Sequence, residues 1–182
     1  CQNTAEISNL KENSNDEEFA GGIVAILETA TIENSKNTGN VIGSTNIGGI
    51  AGESKGTITQ CRNDGQVSKV VGVICKTVNL GGLVGKNGEA ARLSNSKNYG
   101  NVNSETDTLV NLGGICGILY NNSIVELCEN NGAISGSGKE IIPNEDTNTN
   151  CASCTSNNGG SASTDDFGQL NIGIIYGKYQ EI

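Results

Sequence analysis

The sequence predicts an all-β fold, a parallel β-helix (β-solenoid) of about five coils with an irregular loop insertion near its C-terminal end. Three observations predict it. A phrase of the form C/S-x-N-x-G-x-V recurs as CQNTAEI from Cys1, SKNTGNV from Ser35, CRNDGQV from Cys61, SKNYGNV from Ser96 and CENNGAI from Cys128, at offsets of 34, 26, 35 and 32 residues. A second phrase recurs as FAGGIVA from Phe19, NIGGIAG from Asn46, NLGGLVG from Asn79, NLGGICG from Asn111 and NIGIIYG from Asn171. Third, the 182 residues include 26 Gly but only two Phe, four Tyr and no Trp, so a narrow core of Ile, Val, Leu, Ala and Cys replaces a conventional one. Units of this period bury their apolar faces by stacking on their neighbours.

Within one unit, Ile58, Cys61 and Val67 are small or β-branched residues along short extended pieces, which favours strands. Asn63 and Gly65 between them fit a turn, since Gly adopts positive φ freely and Asn tolerates it. The Gly81-Gly82 pair inside an apolar run marks a tight bend or close approach of another backbone. Apolar runs ATIEN, GTITQ, ARLSN and SIVEL precede the first phrase, giving an expectation of three short strands per unit. Like residues should then form columns along the axis. One is Cys1, Ser35, Cys61, Ser96 and Cys128; another is Asn3, Asn37, Asn63, Asn98 and Asn130; a third is Gly39, Gly65, Gly100 and Gly132, with Ala5 departing. Stacked buried amides can satisfy one another and nearby backbone.

Taken in order, residues 1–34 form a first coil with a polar excursion from Lys11 to Phe19, and 35–60 form the tightest coil. Residues 61–95 carry an extra apolar run, KVVGVICKTV, suited to a further strand or a flap. Residues 96–127 repeat the pattern with ETDTLV as a loop. Residues 139–169 interrupt the rhythm with the only Pro, Pro143, the CASC of Cys151 to Cys154 and a run SNNGGSASTDD, after which the phase recovers at FGQLNIGIIYG. Residues 1–182 therefore read as a single repeat domain, expected to be a segment of a longer repeat protein, with 139–169 a projecting loop insertion and the first place to seek a binding site.

The phrases NIGGIAG, NLGGLVG and NLGGICG, followed by an apolar residue and then x-x-C/S-x-N-x-G-x-V or its Ile-ended form, resemble the GLUG-motif repeats of bacterial surface and secreted proteins. The likeness covers about residues 1–138 and resumes at 170–177. It implies an extracellular or cell-surface stalk, adhesin or accessory module, sometimes beside a separate peptidase domain, and it transfers no catalytic motif. Ala25 in place of a closing Gly and Gly173-Ile174 in place of Gly-Gly are departures from it.

The formal charge of −9 argues against nucleic acid and anionic membranes as partners, because phosphate binding needs clustered Lys and Arg. No apolar run approaches the ~20 residues of a membrane span. The absence of His removes Ser-His-Asp and Cys-His nucleophile systems. Glu17-Glu18 and Asp165-Asp166 are sequence neighbours, which point to opposite faces of a strand, so they read as solvated loop charge. Cys1, Cys61, Cys116 and Cys128 read as buried reduced thiols, whereas Cys151 and Cys154 could bridge each other or bind metal. Thr29-x-Thr31 and Thr57-x-Thr59 suggest an ice-binding array that dies after two coils, and Asn121-Asn122-Ser123 is a glycosylation sequon. No catalytic, cofactor or metal residues are assigned. The function expected is a non-enzymatic repeat module whose partners are further coils or another copy end to end, with a glycan or host-surface ligand possible; a carbohydrate-binding or carbohydrate-active β-helix and a segment of a secreted peptidase are the alternatives.

Overall fold

The computed structural model describes residues 1–9, 17–70, 75, 77–104, 109–120, 122–137, 140–143, 151–152, 154–157, 160–163, 169–173 and 176–180. All the described regular structure is strand, and every strand pairing is parallel, which makes the chain a parallel β-helix. Five sheets run along the stack, three of six strands and two of five. The coil from Cys61 shows one strand of each: Arg62–Asn63, Val67–Lys69, Thr77–Gly81, Val84–Asn87 and Arg92–Ser94, which define the first to fifth sheets in order around the coil.

The unit thus has five strands where the sequence suggested three. The Gly-Gly pair accounts for one of the two extra strands by folding one apolar phrase into two arms, the third and fourth strands. A Cβ on Gly81 would lie 2.0 Å from the Val84 carbonyl oxygen, so only glycine permits the arms to meet. A second corner precedes each repeat of the first phrase, where Asn34, Gln60, Asn95 and Leu127 adopt φ of 48°, 53°, 49° and 52°.

The asparagine column is continuous. Nδ2 of Asn3, Asn37, Asn63 and Asn98 each donates to Oδ1 of the next, at 2.8, 2.9, 2.9 and 2.8 Å. Each carboxamide also closes its own turn: Asn63 Nδ2 donates to the Gly65 carbonyl at 2.7 Å, and the Gly65 N–H donates back to Asn63 Oδ1 at 3.2 Å. The glycine that follows is needed for space and not for a left-handed turn. A Cβ on Gly65 or Gly100 would lie 1.9 or 1.8 Å from the carbonyl oxygen of the glycine one coil earlier, and neither residue has a left-handed φ. Ala5 departs from this column at an exposed position of the first coil.

The same asparagines also touch the opposite wall. A Cβ on Gly49 would lie 2.2 Å from the Asn63 carboxamide carbon, and one on Gly82 would lie 2.3 Å from Asn98 Nδ2. The coil is therefore pinched across its middle, and the core divides into two apolar clusters. One holds Ile50, Ile58, Cys61, Leu83, Leu93, Ile115, Cys116 and Cys128, the other Val41, Ile47, Val67, Cys75, Leu80, Val102, Leu112 and Ile134. A second amide ladder in the third sheet runs in the opposite sense, Asn111 Nδ2 donating to Asn79 Oδ1 at 2.6 Å and Asn79 Nδ2 to Asn46 Oδ1 at 2.7 Å.

Several expectations change. Cys1 is exposed, not buried, whereas Cys61, Cys116 and Cys128 are buried free thiols as expected. Strand register pairs Thr57 with Thr31 and Thr59 with Glu33, then Thr57 with Arg92, so the threonine alignment drawn from the sequence was out of phase by two residues and no array forms. Parts of 139–169, expected to project as a loop, are strands on the stack: Glu140–Pro143, Cys151–Ala152, Thr155–Ser156 and Gly160–Ser163. Order even inverts in the third sheet, where Gln169–Gly173 pairs directly with Leu109–Gly113 and the earlier Glu140–Pro143 lies outside it. The later strand keeps Asn and Gly in register with Asn111 and Gly113, while Pro143 suits a strand at an edge.

Two outcomes follow for stability in urea. Asn63→Ala strands partners above, below and within its turn, and since each unsatisfied buried group costs roughly 1–3 kcal/mol, the midpoint should fall sharply. Leu127 holds a left-handed φ of 52° while 55% exposed, at a corner where Asn34 and Asn95 stand in other coils. Leu127→Asn should therefore raise stability by about 1 kcal/mol.

Candidate functional site

The side chains with most chemistry gather on the outer face of the fourth sheet. Strands Ala51–Ser54, Val84–Asn87 and Cys116–Tyr120 lie side by side, and their register places Glu53 next to Lys86 and Lys86 next to Ile118. Because successive strand residues face opposite sides, Glu53, Lys86 and Ile118 share the outer face while the adjacent Ser54, Asn87 and Leu119 are wholly buried beneath it. A groove of about 400 Å³ opens here, lined by Glu53, Lys55, Lys86, Gly88, Glu89 and Tyr120.

Lys86 is its centre. Its ammonium lies 3.1 Å from Glu17, 3.5 Å from the buried Glu53 and 5.8 Å from the centroid of the Tyr120 ring. Burial alone would lower the Lys86 pKa, but the hydrogen bond to Glu17 and the charges of Glu53 and Glu17 outweigh it and hold the group above its ordinary value. At the rim, Lys55 pairs with Glu28 at 3.2 Å. Below it, the Gly88 N–H donates to the Ser54 carbonyl at 2.8 Å, and the Ala91 N–H to the Gly88 carbonyl at 3.3 Å, which fixes the turn carrying Glu89. The arrangement offers fixed charges of both signs and an aromatic face on a rigid floor. These groups give it the means to bind a ligand.

The residues singled out in the sequence do not assemble into one site. Glu17 joins Lys86, while Glu18 is buried and its backbone exchanges 2.6 Å hydrogen bonds with the Thr45 hydroxyl. Asp165-Asp166, Asn121 and most of the middle of 139–169 lie outside the described residues. Cys154 is disulfide-bonded, in line with a local bridge, although the Cys151 side chain lies outside the described residues. Among the described residues no group of three or more His, Cys, Asp or Glu is placed to hold a metal ion, and no helix is long and apolar enough to cross a membrane. Sequence reasoning missed Glu53, Lys86 and Tyr120. The signal was present: aligning NIGGIAGES with NLGGLVGKN puts an acid and a base at one outward position of adjacent coils.

No family model, curated protein or solved structure matches the chain.

The buried thiols make the protein sensitive to alkali. Desolvation pushes Cys128 from an ordinary 9.0 up to about 11, against two opposing backbone hydrogen bonds, and burial raises Cys116 well above its usual value too. A folded-state pKa above the unfolded one means stability is intact below pH ~9 and is lost as pH rises through ~11. Urea midpoints measured across this range should fall with pH, and Cys128→Ser, which matches Ser35 and Ser96 in the same column, should flatten the decline.

Proposed function

We propose that this chain is a non-enzymatic repeat module of an extracellular or cell-surface protein, acting as a stalk, an adhesive element or a filament-forming one. The observation that carries the reading is how completely each coil depends on the next. Val41, Ala51 and Ile58 are wholly buried beneath a neighbouring coil, whereas their register partners Ile7, Val24 and Ile32 in the first coil are only half-buried. Such columns gain from any further coil laid upon them, at roughly 25 cal/mol for each Å² of apolar surface removed from water. The strand edges beside them carry backbone donors and acceptors that pair in the same way.

Three further features support an exported module. The Cys154 disulfide suits an oxidising compartment. A charge of −9 favours solubility outside the cell. The repeat phrases resemble GLUG-motif repeats, whose setting is the bacterial surface.

Sedimentation velocity and small-angle scattering over a concentration series test the reading. An elongated particle that associates end to end is expected, and Ile7→Lys together with Ile32→Lys should abolish association while leaving the far-ultraviolet β signal intact. A compact particle, or one strictly monomeric at every concentration, would overturn it.

A further inference from the structure

The groove beside Tyr120 sits on the flank of the stack, away from the faces on which coils pile up, and coil stacking leaves it without a role. We propose that it is a binding site for a neutral, hydroxyl-rich sugar ring.

Charge selects the class of ligand first. Both lysines of the lining are already paired with carboxylates, Lys86 with Glu17 and Glu53 and Lys55 with Glu28, so the groove offers no free cation to an incoming charge. An anion would have to draw Lys86 away from Glu17 at 3.1 Å and from Glu53 at 3.5 Å. A cation would have to displace Lys86 from Glu17 and Glu53, or Lys55 from Glu28. A neutral ligand disturbs none of these ion pairs.

Hydrogen-bonding chemistry narrows it further. Carboxylates only accept and ammoniums only donate. A ligand that uses both must donate and accept from closely spaced points, which is what the hydroxyls around a sugar ring do. The remaining wall is the half-buried Tyr120 ring, an apolar surface with a polar tip. The C–H face of a sugar ring lies against such a surface while its edge hydroxyls reach Glu53, Glu89 and Lys55. A pocket combining an apolar wall with a few converging polar groups is the usual form of a small-molecule site. The floor is preorganised as well, since Glu53 and Lys86 stand on adjacent paired strands and the Gly88 turn is bonded to Ser54.

Isothermal titration calorimetry of the full chain against short neutral oligosaccharides of glucose, galactose, mannose and N-acetylglucosamine tests this. Saturable binding of at least one is expected, weakened about tenfold or more by Tyr120→Ala. The rim variant Glu89→Gln, at an exposed position outside the core, should weaken binding less but measurably, and keeps the test decisive if Tyr120→Ala fails to fold. No saturable binding of any probe overturns the proposal. So does affinity unchanged in the rim variant and in a folded Tyr120→Ala chain, or preference for a sugar acid or amino sugar over its neutral parent. None of these outcomes bears on end-to-end association, which the groove variants should leave unaltered.

Discussion

The chain of carboxamide hydrogen bonds from Asn3 to Asn130 is the constraint on which the architecture depends. A buried amide without partners is costly, and here Asn37, Asn63 and Asn98 each bond their own turn and the coils on either side. The ladder thereby locks three things together: the register of successive coils, the turn after each asparagine and the width of the coil. Width follows because Asn63 and Asn98 press against Gly49 and Gly82 of the opposite wall. With the walls touching there, the interior can only be two narrow lobes. Each is filled by residues no larger than Leu and Ile, which is why a chain this poor in aromatic residues still buries an apolar core.

A second amide ladder runs through the third sheet with its donors pointing the other way. Opposed chains of carboxamide dipoles cancel in part over the coils they share. The alternation of Ser and Cys in the neighbouring column has an equally local cause. Ser35 and Ser96 donate to the carbonyl two residues earlier at 3.0 and 2.8 Å, and Cys61 and Cys128 make the same contact through sulfur at 3.2 and 3.3 Å. Both side chains are small and both can donate, so the column accepts either.

Outside the core, constraint relaxes. The outward column Lys36, Arg62, Lys97 and Glu129 carries ion pairs with Asp64 and between its own members, and Arg62 lies 4.2 Å over the Tyr99 ring. Exposed pairs of this kind contribute little to stability. The flanks are therefore free to vary without threatening the fold. A groove such as that around Lys86 can arise on them while the asparagine columns inside stay the same from coil to coil.

The sequence by itself determined the repeat, its phase, the asparagine and glycine columns and the fold class, because identical spacing of small and amide residues has few physical solutions. It did not reveal that the Gly-Gly pair splits one phrase into two arms. Nor did it show that Gly65 and Gly100 answer to a carbonyl on the coil before, since that demand is invisible until coils are stacked. The inverted order of Glu140–Pro143 and Gln169–Gly173 also depends on which neighbour each strand meets. The pairing of Glu17 with Lys86 joins residues 69 apart in the chain. Tertiary structure alone decided it, because only the packing of coils brings that glutamate, Glu53 and Tyr120 around one ammonium group.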